Sequence, residues 1–308
     1  MPEIGTEEQI DHMIAAGRKI VDEAIATYKP DAIIAAFSGG NDSIVSTHFA
    51  VSQYDALVVH CDTGIGIKKT REHVNKTAER FGWSFEASKA EPEGKPDCVD
   101  PSEMPSGRWT DGETAYEEIV LNRGFPGPAQ HHRFYVSLKE RPLLRAARKL
   151  RLGRGRKVLV VAGIRHDESS VRAGYKEAIR AQAKSFLVWA NPFYWHTAAD
   201  FEAYRQEFGL PRNPVKARVG ISGECLCGAY ASQGEKELVR SVEPETAEYL
   251  DRLEDRVRAN GFPWGWGESP PQAWLDSRRG QGFLFPTLVG FEPMCVGCPR
   301  KAAKRVTQ

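Results

Sequence analysis

Residues 37–43, FSGGNDS, set two adjacent glycines among short polar side chains, directly after the apolar run DAIIAA. Successive backbone N–H groups with no Cβ in the way form a nest for an anion. A helix starting near Asp42 adds the positive end of its dipole. Ser38, Gly39, Gly40, Asn41, Asp42 and Ser43 are therefore candidate phosphate ligands. The loop is neither GxxxxGK[ST] nor GxGxxG, and a plain Gly-Gly turn between strand and helix has the same spacing. Two further loops carry chemistry-bearing groups: Asp62, Thr63 and Gly64 after one apolar run, and Gly163, Arg165, Glu168 and Arg172 after another. Arginine supplies a planar fork for phosphate or sulfate oxygens. On its own, Arg-x-x-Glu reads equally as a surface ion pair.

The six cysteines divide by spacing. Cys225 and Cys227 lie in GECLCG, and Cys295 and Cys298 in MCVGCP. Four thiolates in two close pairs suit a structural zinc ion or a [4Fe–4S] cluster. Cys61 ends an apolar run, where it is either a reactive thiol or a small buried apolar side chain. Cys98 lies in a Pro- and Gly-rich stretch that gives it no role.

The elements that position these groups alternate. The spacing predicts a helix over 7–28, then strands at 31–37, 56–61, 83–88, 157–164 and 185–192. Helices are expected from Asp42, over 70–82, 112–123 and 134–151, after a Thr197 cap, and over 244–260. Strands alternating with helices indicate an α/β, Rossmann-like, doubly wound and mainly parallel five-stranded sheet. In such a sheet ligands bind beyond the carboxyl ends of the strands, so the loops after strands one, two and four share one crevice. Residues 89–110, rich in Pro, Gly and charge, read as an excursion over it. The pattern changes after about 215, which divides the chain into a nucleotide-binding domain (1–215) and a helical, cysteine-containing extension packed on it (216–308).

Composition excludes rather than selects. With 308 residues, 42 basic and 41 acidic, net charge argues neither for nor against nucleic acid. No apolar run has the length of a membrane span, and MPEIGTEEQIDHMI lacks a signal-peptide core, so a cytoplasmic protein with reduced thiols and no membrane contact is expected. The stretch Lys139–Lys157, dense in Lys and Arg with Glu140 as its single acid, is either a phosphate-tracking surface or a solvated helix face.

SGG-x-DS after the first strand resembles the PP-loop of the adenine nucleotide α-hydrolase superfamily. DTGIGIKKTREHV (62–74), FPGPAQHHRFYVSLKERPL (125–143), GIRHDESSVRA (163–173) and NPFYWHTAADFEAYRQEFGLPRNP (191–214) are similar, in order, to blocks of the PAPS reductase family. The resemblance implies an adenine nucleotide with Mg²⁺ on the three loops, with Asp42, Arg165 and Arg172 as catalytic groups. For the cysteines Cys225, Cys227, Cys295 and Cys298 it favours a [4Fe–4S] cluster over Zn²⁺, as in assimilatory APS reductases.

Two departures bear on activity. Sulfonucleotide reductases of the family attack through a cysteine in a C-terminal ECG-(L/I)-H motif. This chain ends CPRKAAKRVTQ, so only Cys61 or Cys98 could substitute. ATP-using relatives read SGGKDS, where this chain has Asn41. The resemblance thus implies an ATP pyrophosphatase that adenylates an acceptor for sulfur transfer, in the manner of the sulfur-transfer subunit of DNA phosphorothioation, with a sulfur-donor protein as partner. The alternatives are reduction of PAPS or APS by a non-standard nucleophile, and a non-catalytic nucleotide sensor.

Overall fold

The computed structural model describes residues 7–96, 104–168, 177–182, 185–221, 223–232 and 234–279. A six-stranded sheet runs in the order β3-β2-β1-β4-β6-β5. Its strands are β1 Ala32–Ala36, β2 Ala56–Asp62, β3 Phe85–Lys89, β4 Val158–Val161, β5 Ile179–Ala181 and β6 Leu187–Ala190. All neighbours are parallel except β5, which pairs antiparallel with β6 at the edge. The sheet therefore has one strand more than the five expected. The extra one, IRA, is too short and too polar for an alternating or continuous apolar signal.

Central strands of a parallel sheet are covered on both faces and read as unbroken apolar runs. β4, VLVV, is buried at every position. Leu159 and Val161 face a core built with Ile10, Met13, Val21, Phe49 and Phe193. Val158 and Val160 face the opposite layer, with Leu143, Ala146 and Ala147. The first layer is supplied by α1 (Glu7–Tyr28) and α2 (Asn41–Gln53), the second by the helix Arg141–Leu150. α1 buries Ile10, Met13, Gly17, Val21 and Ala24, three or four residues apart, the stripe that an amphipathic helix presents to a core. A Cβ on Gly17 would lie 2.7 Å from the Phe193 ring, so a bare backbone is what admits this packing.

The third helix of the first half, α3 (Lys68–Arg80), follows β2. Thr197 caps the helix Ala198–Glu207: its hydroxyl accepts from Asp200 N, and the Asp200 carboxylate accepts from Thr197 N. The helix expected over 134–151 is instead an α-turn His131–Tyr135, a π-helical turn Val136–Glu140 and the helix Arg141–Leu150. Pro142 lacks the N–H that a straight α-ladder would need there. Helices Pro214–Val219 and Glu235–Val242 were not expected from the sequence; Pro244–Ala259 was.

One compact unit comprises Met1–Ser269, and a second comprises Pro270–Gln308 with the helix Gln272–Arg279. Residues 216–269 thus fold within the same unit as the sheet, beyond the expected division at 215. Among the described residues no helix is long and apolar enough to cross a membrane.

Candidate functional site

β1 is flanked by β2 on one side and β4 on the other, so consecutive connections leave it in opposite directions. That is the topological switch point of an open α/β sheet, where a crevice forms past the carboxyl ends of the strands. A cavity of about 520 Å³ lies there. It is lined by Phe37, Ser38, Gly40, Asn41, Asp42 and Ser43 from the end of β1 and the start of α2, and by Ala162 and Gly163 from the end of β4.

The FSGGNDS turn is held by its own hydroxyls. Ser38 Oγ donates to Ser43 Oγ at 3.0 Å, and Ser43 Oγ donates to Gly40 O at 2.9 Å. Gly39 has φ +79°, and a Cβ there would sit 2.7 Å from Val74 Cγ2, so both backbone and space require glycine. Gly163 matters for another reason: a Cβ would lie 2.6 Å from Asp42 O, so the β4 loop touches the first turn of α2. Gly40 is the cap residue of α2, and the first-turn N–H groups beyond it have no intrahelical acceptors.

The other predicted site residues divide. Arg165 Nε donates to Asp42 Oδ2 at 3.0 Å, and its NH1 to Asp167 at 2.7 Å. It lines a second cavity, of about 200 Å³, that shares Asn41, Asp42 and Lys216 with the first. Glu168 lies in the 3-10 turn His166–Glu168. Asp62, Thr63 and Gly64 are not among the residues lining either cavity. Asp62 accepts from Gly64 N and pairs with Arg71 at 3.5 Å, and Thr63 Oγ1 donates to Glu224 O at 3.0 Å. Asp62 is thus engaged locally, whereas Thr63, Ile65 and Ile67 fasten a neighbouring segment. Arg172, Cys98, Cys295 and Cys298 lie outside the described residues.

The segment they fasten carries the first cysteine pair. Ile67 N donates to Gly223 O, and Leu226 N to Ile65 O. Trp266 Nε1 donates to Leu226 O at 2.7 Å, and Tyr116 OH to Cys227 O at 3.0 Å. Residues 223–227 are thereby laid along TGIGI. The Cys225 thiol donates to Cys227, which lowers the Cys227 thiol below its usual range and raises Cys225 well above it. Glu224, next in sequence, lines the large cavity and pairs with Lys139 at 2.9 Å. Burial opposes the Lys139 charge, but the Glu224 carboxylate more than offsets it and raises the lysine's pKa. Cys61 lines the cavity too. Burial pushes its thiol up to about 12, with the Glu224 charge adding to the effect. It is a protonated thiol, unlike an activated nucleophile.

Two groups important to the site escaped the sequence reading. Asn213, fully buried, accepts from Val215 N at 2.8 Å and Lys216 N at 3.4 Å, while its Nδ2 donates to Gly39 O at 2.9 Å. Its backbone N–H donates to Asn41 Oδ1 at 3.2 Å. The Asn-Pro pair is a legible helix start. That it grips the glycine loop 174 residues away is not. Lys216, on the same turn, lines both cavities.

Among the described residues, the basic stretch at 139–157 is paired with carboxylates at five of its nine cations. Besides Lys139 with Glu224, Arg141 pairs with Glu93, Arg145 with Glu91, Lys149 with Glu86 and Arg156 with Asp31.

A family model described as the phosphoadenosine phosphosulfate reductase domain matches residues 32–219, more than half of the chain. No curated protein matches it. Among solved structures, a phosphoadenylyl-sulfate (PAPS) reductase from Candida auris in a phosphate complex is 19% identical. That match covers 69% of this chain and 92% of the other, with a TM-score of 0.45. An FMN adenylyltransferase from Candida glabrata in complex with ATP is 16% identical over 71% of this chain and 63% of the other, TM-score 0.40. An NH3-dependent NAD synthetase from Campylobacter jejuni is 15% identical over 85% of this chain and 98% of the other, TM-score 0.37.

Proposed function

The chain belongs to the phosphoadenosine phosphosulfate reductase domain family, and from that membership we propose that it binds ATP in the FSGGNDS cavity and adenylates an acceptor for sulfur transfer. The observation that carries the reading is the placement of the loop and the first turn of α2 on a 520 Å³ cavity at the sheet's switch point. In the proposed reaction an acceptor oxygen attacks the α-phosphorus. The bond from that phosphorus to the oxygen bridging to the β-phosphate breaks, and pyrophosphate leaves while the acceptor gives up its proton to solvent. Backbone N–H groups of residues 41–43 meet charge growing on the leaving phosphates, an arrangement that needs no rearrangement during the reaction.

Asp42 lines the cavity and gives one carboxylate oxygen to Arg165. A magnesium ion is commonly held by one or two carboxylates plus phosphate oxygens, so Asp42 fits as its protein ligand; the ion would neutralise phosphate charge. Arg165, itself oriented by Asp42 and Asp167, positions that carboxylate.

The adjacent, hydrogen-bonded Cys225 and Cys227 suit a thiolate-bound centre, because the bond from Cys225 lowers the Cys227 thiol and favours its thiolate. Together with Cys295 and Cys298 they would hold a [4Fe–4S] cluster, or Zn²⁺ in its place; the cluster would supply structural cross-linking and one-electron chemistry. A sulfur-donor protein would complete the reaction. A nucleic-acid acceptor draws reduced support from residues 139–157, since five of their nine cations are paired with carboxylates within the chain.

Reduction of PAPS or APS is less well supported: it needs a thiolate at the cavity, and Cys61 is held protonated. Pyrophosphate release from ATP with Mg²⁺, in anaerobically purified protein, tests the proposal. Release that Asp42→Ala abolishes is expected. Sulfite formation from PAPS with a thiol reductant, without pyrophosphate release from ATP, would overturn it in favour of the reductase. Tight nucleotide binding with neither product would leave a sensor.

A further inference from the structure

We infer that Lys216 supplies the positive charge that holds the nucleotide's phosphates, and that Asn41 serves instead as a clip on the loop. The inference rests on nucleotide binding at this cavity. Within residues 37–43 the only charged side chain is Asp42, so the nest itself has no cation. Two cations line the large cavity, Lys139 and Lys216. Lys139 is committed to Glu224 at 2.9 Å. The smaller adjoining cavity adds Arg165, held by Asp42 and Asp167, and Arg205, held by Glu202. Among the described residues, Lys216 is the cation lining these cavities that has no carboxylate within ion-pair distance.

Its place is fixed from the loop itself. Asn213 takes the Lys216 N–H on its side-chain oxygen and donates its amide to Gly39 O. The Asn213 N–H in turn occupies Asn41 Oδ1. Two hydrogen bonds therefore tie the start of the helix Pro214–Val219 to residues 39 and 41, and the Lys216 side chain leaves from that junction. It lines both cavities where they share Asn41 and Asp42. A compact ammonium on a flexible stem, with three donors, suits an oxyanion whose oxygens are shared with a backbone nest. An unneutralised cation at the boundary of two cavities favours ligands whose charge spans both, so the substrate class is an adenine nucleotide carrying a polyphosphate.

Calorimetric titration of adenosine and ATP with Mg²⁺ into wild type, Lys216→Ala and Lys216→Arg tests this. Lys216→Ala is expected to weaken ATP binding about 10- to 100-fold, the range of one charge-assisted hydrogen bond lost at a partly buried site. Adenosine affinity is expected to stay within about twofold, because a half-exposed side chain contributes little elsewhere. Lys216→Arg keeps the charge and should recover most of the ATP affinity. ATP binding unchanged in Lys216→Ala would overturn the inference while leaving nucleotide binding intact. Equal loss of adenosine and ATP would also overturn it, by showing a structural role. Wild type that binds neither ligand would overturn both this inference and the function it rests on.

Discussion

Gly163 and Asn213 carry more of the site than their chemistry suggests. Gly163→Ala places a Cβ against the Asp42 carbonyl, where backbone rather than a movable side chain must give. A destabilisation of about 1–3 kcal/mol is expected from such overpacking, with weakened ATP binding, measured by denaturant unfolding and by titration. Asn213→Ala leaves two N–H groups and the Gly39 carbonyl without their partner; a cost of about 2 kcal/mol is expected, at the upper end for a lost cap. Cys61 gives a pH prediction. Its folded pKa of about 12 lies above the ordinary thiol value of 9.0, so burial of the protonated form stabilises the fold below pH 9. That contribution is lost as pH rises from 9 towards 12. Alkylation by iodoacetamide, mapped by peptide mass spectrometry, should be slow at Cys61 at pH 8, where its thiol stays protonated. Fast modification of Cys61 at pH 8 would restore it as a nucleophile. At this scale the glycines and Asp42 were legible because they sit in one short run. Asn213, Lys216, Lys139 and Glu224 were not, since each acts through a partner distant in sequence.

Among the elements, β1, β2, β4 and the helix after β1 were readable from apolar runs and their punctuation. The doubly wound arrangement followed from their alternation. β5 has three residues and no apolar run, and it pairs only at the edge. The segment 223–227 has no regular structure of its own; its place along Thr63–Ile67 comes from hydrogen bonds that no spacing encodes. This is why Thr63, expected at the nucleotide, fastens the cysteine segment instead, while Asp62 is engaged by Gly64 N and Arg71. Gly66 is the tightest point of that contact, with a Cβ position 2.4 Å from Glu224 O. Gly66→Ala should displace the cysteine pair and lower bound iron or zinc per chain, as read by metal analysis. It should also cost about 1–3 kcal/mol of stability. Unchanged metal content in a stably folded variant would separate the segment's register from metal retention.

For the whole molecule, several of the charges that sum to near neutrality are paired across elements distant in sequence. The run from Lys139 looks like a nucleic-acid surface in sequence because its partners Glu86, Glu91, Glu93, Asp31 and Glu224 come from other elements. Folding converts that run into a brace between the helix Arg141–Leu150 and the strand β3 with the residues after it. The same folding brings the glycine loop, Lys216 and the Glu224–Lys139 pair to one cavity, with Cys225 next to Glu224 in the chain. The glycine-loop cavity and the Cys225–Cys227 pair thus share a segment, which is the basis on which the proposed function joins them.

The most direct test of that account is a crystal structure with a non-hydrolysable ATP analogue and Mg²⁺. The expected result has the phosphates within hydrogen-bond distance of the backbone N–H groups of residues 41–43 and of Lys216 Nζ, with the adenosine in the cavity past β1 and β4. An analogue bound away from FSGGNDS, or a cavity without nucleotide at saturating concentration, would contradict it.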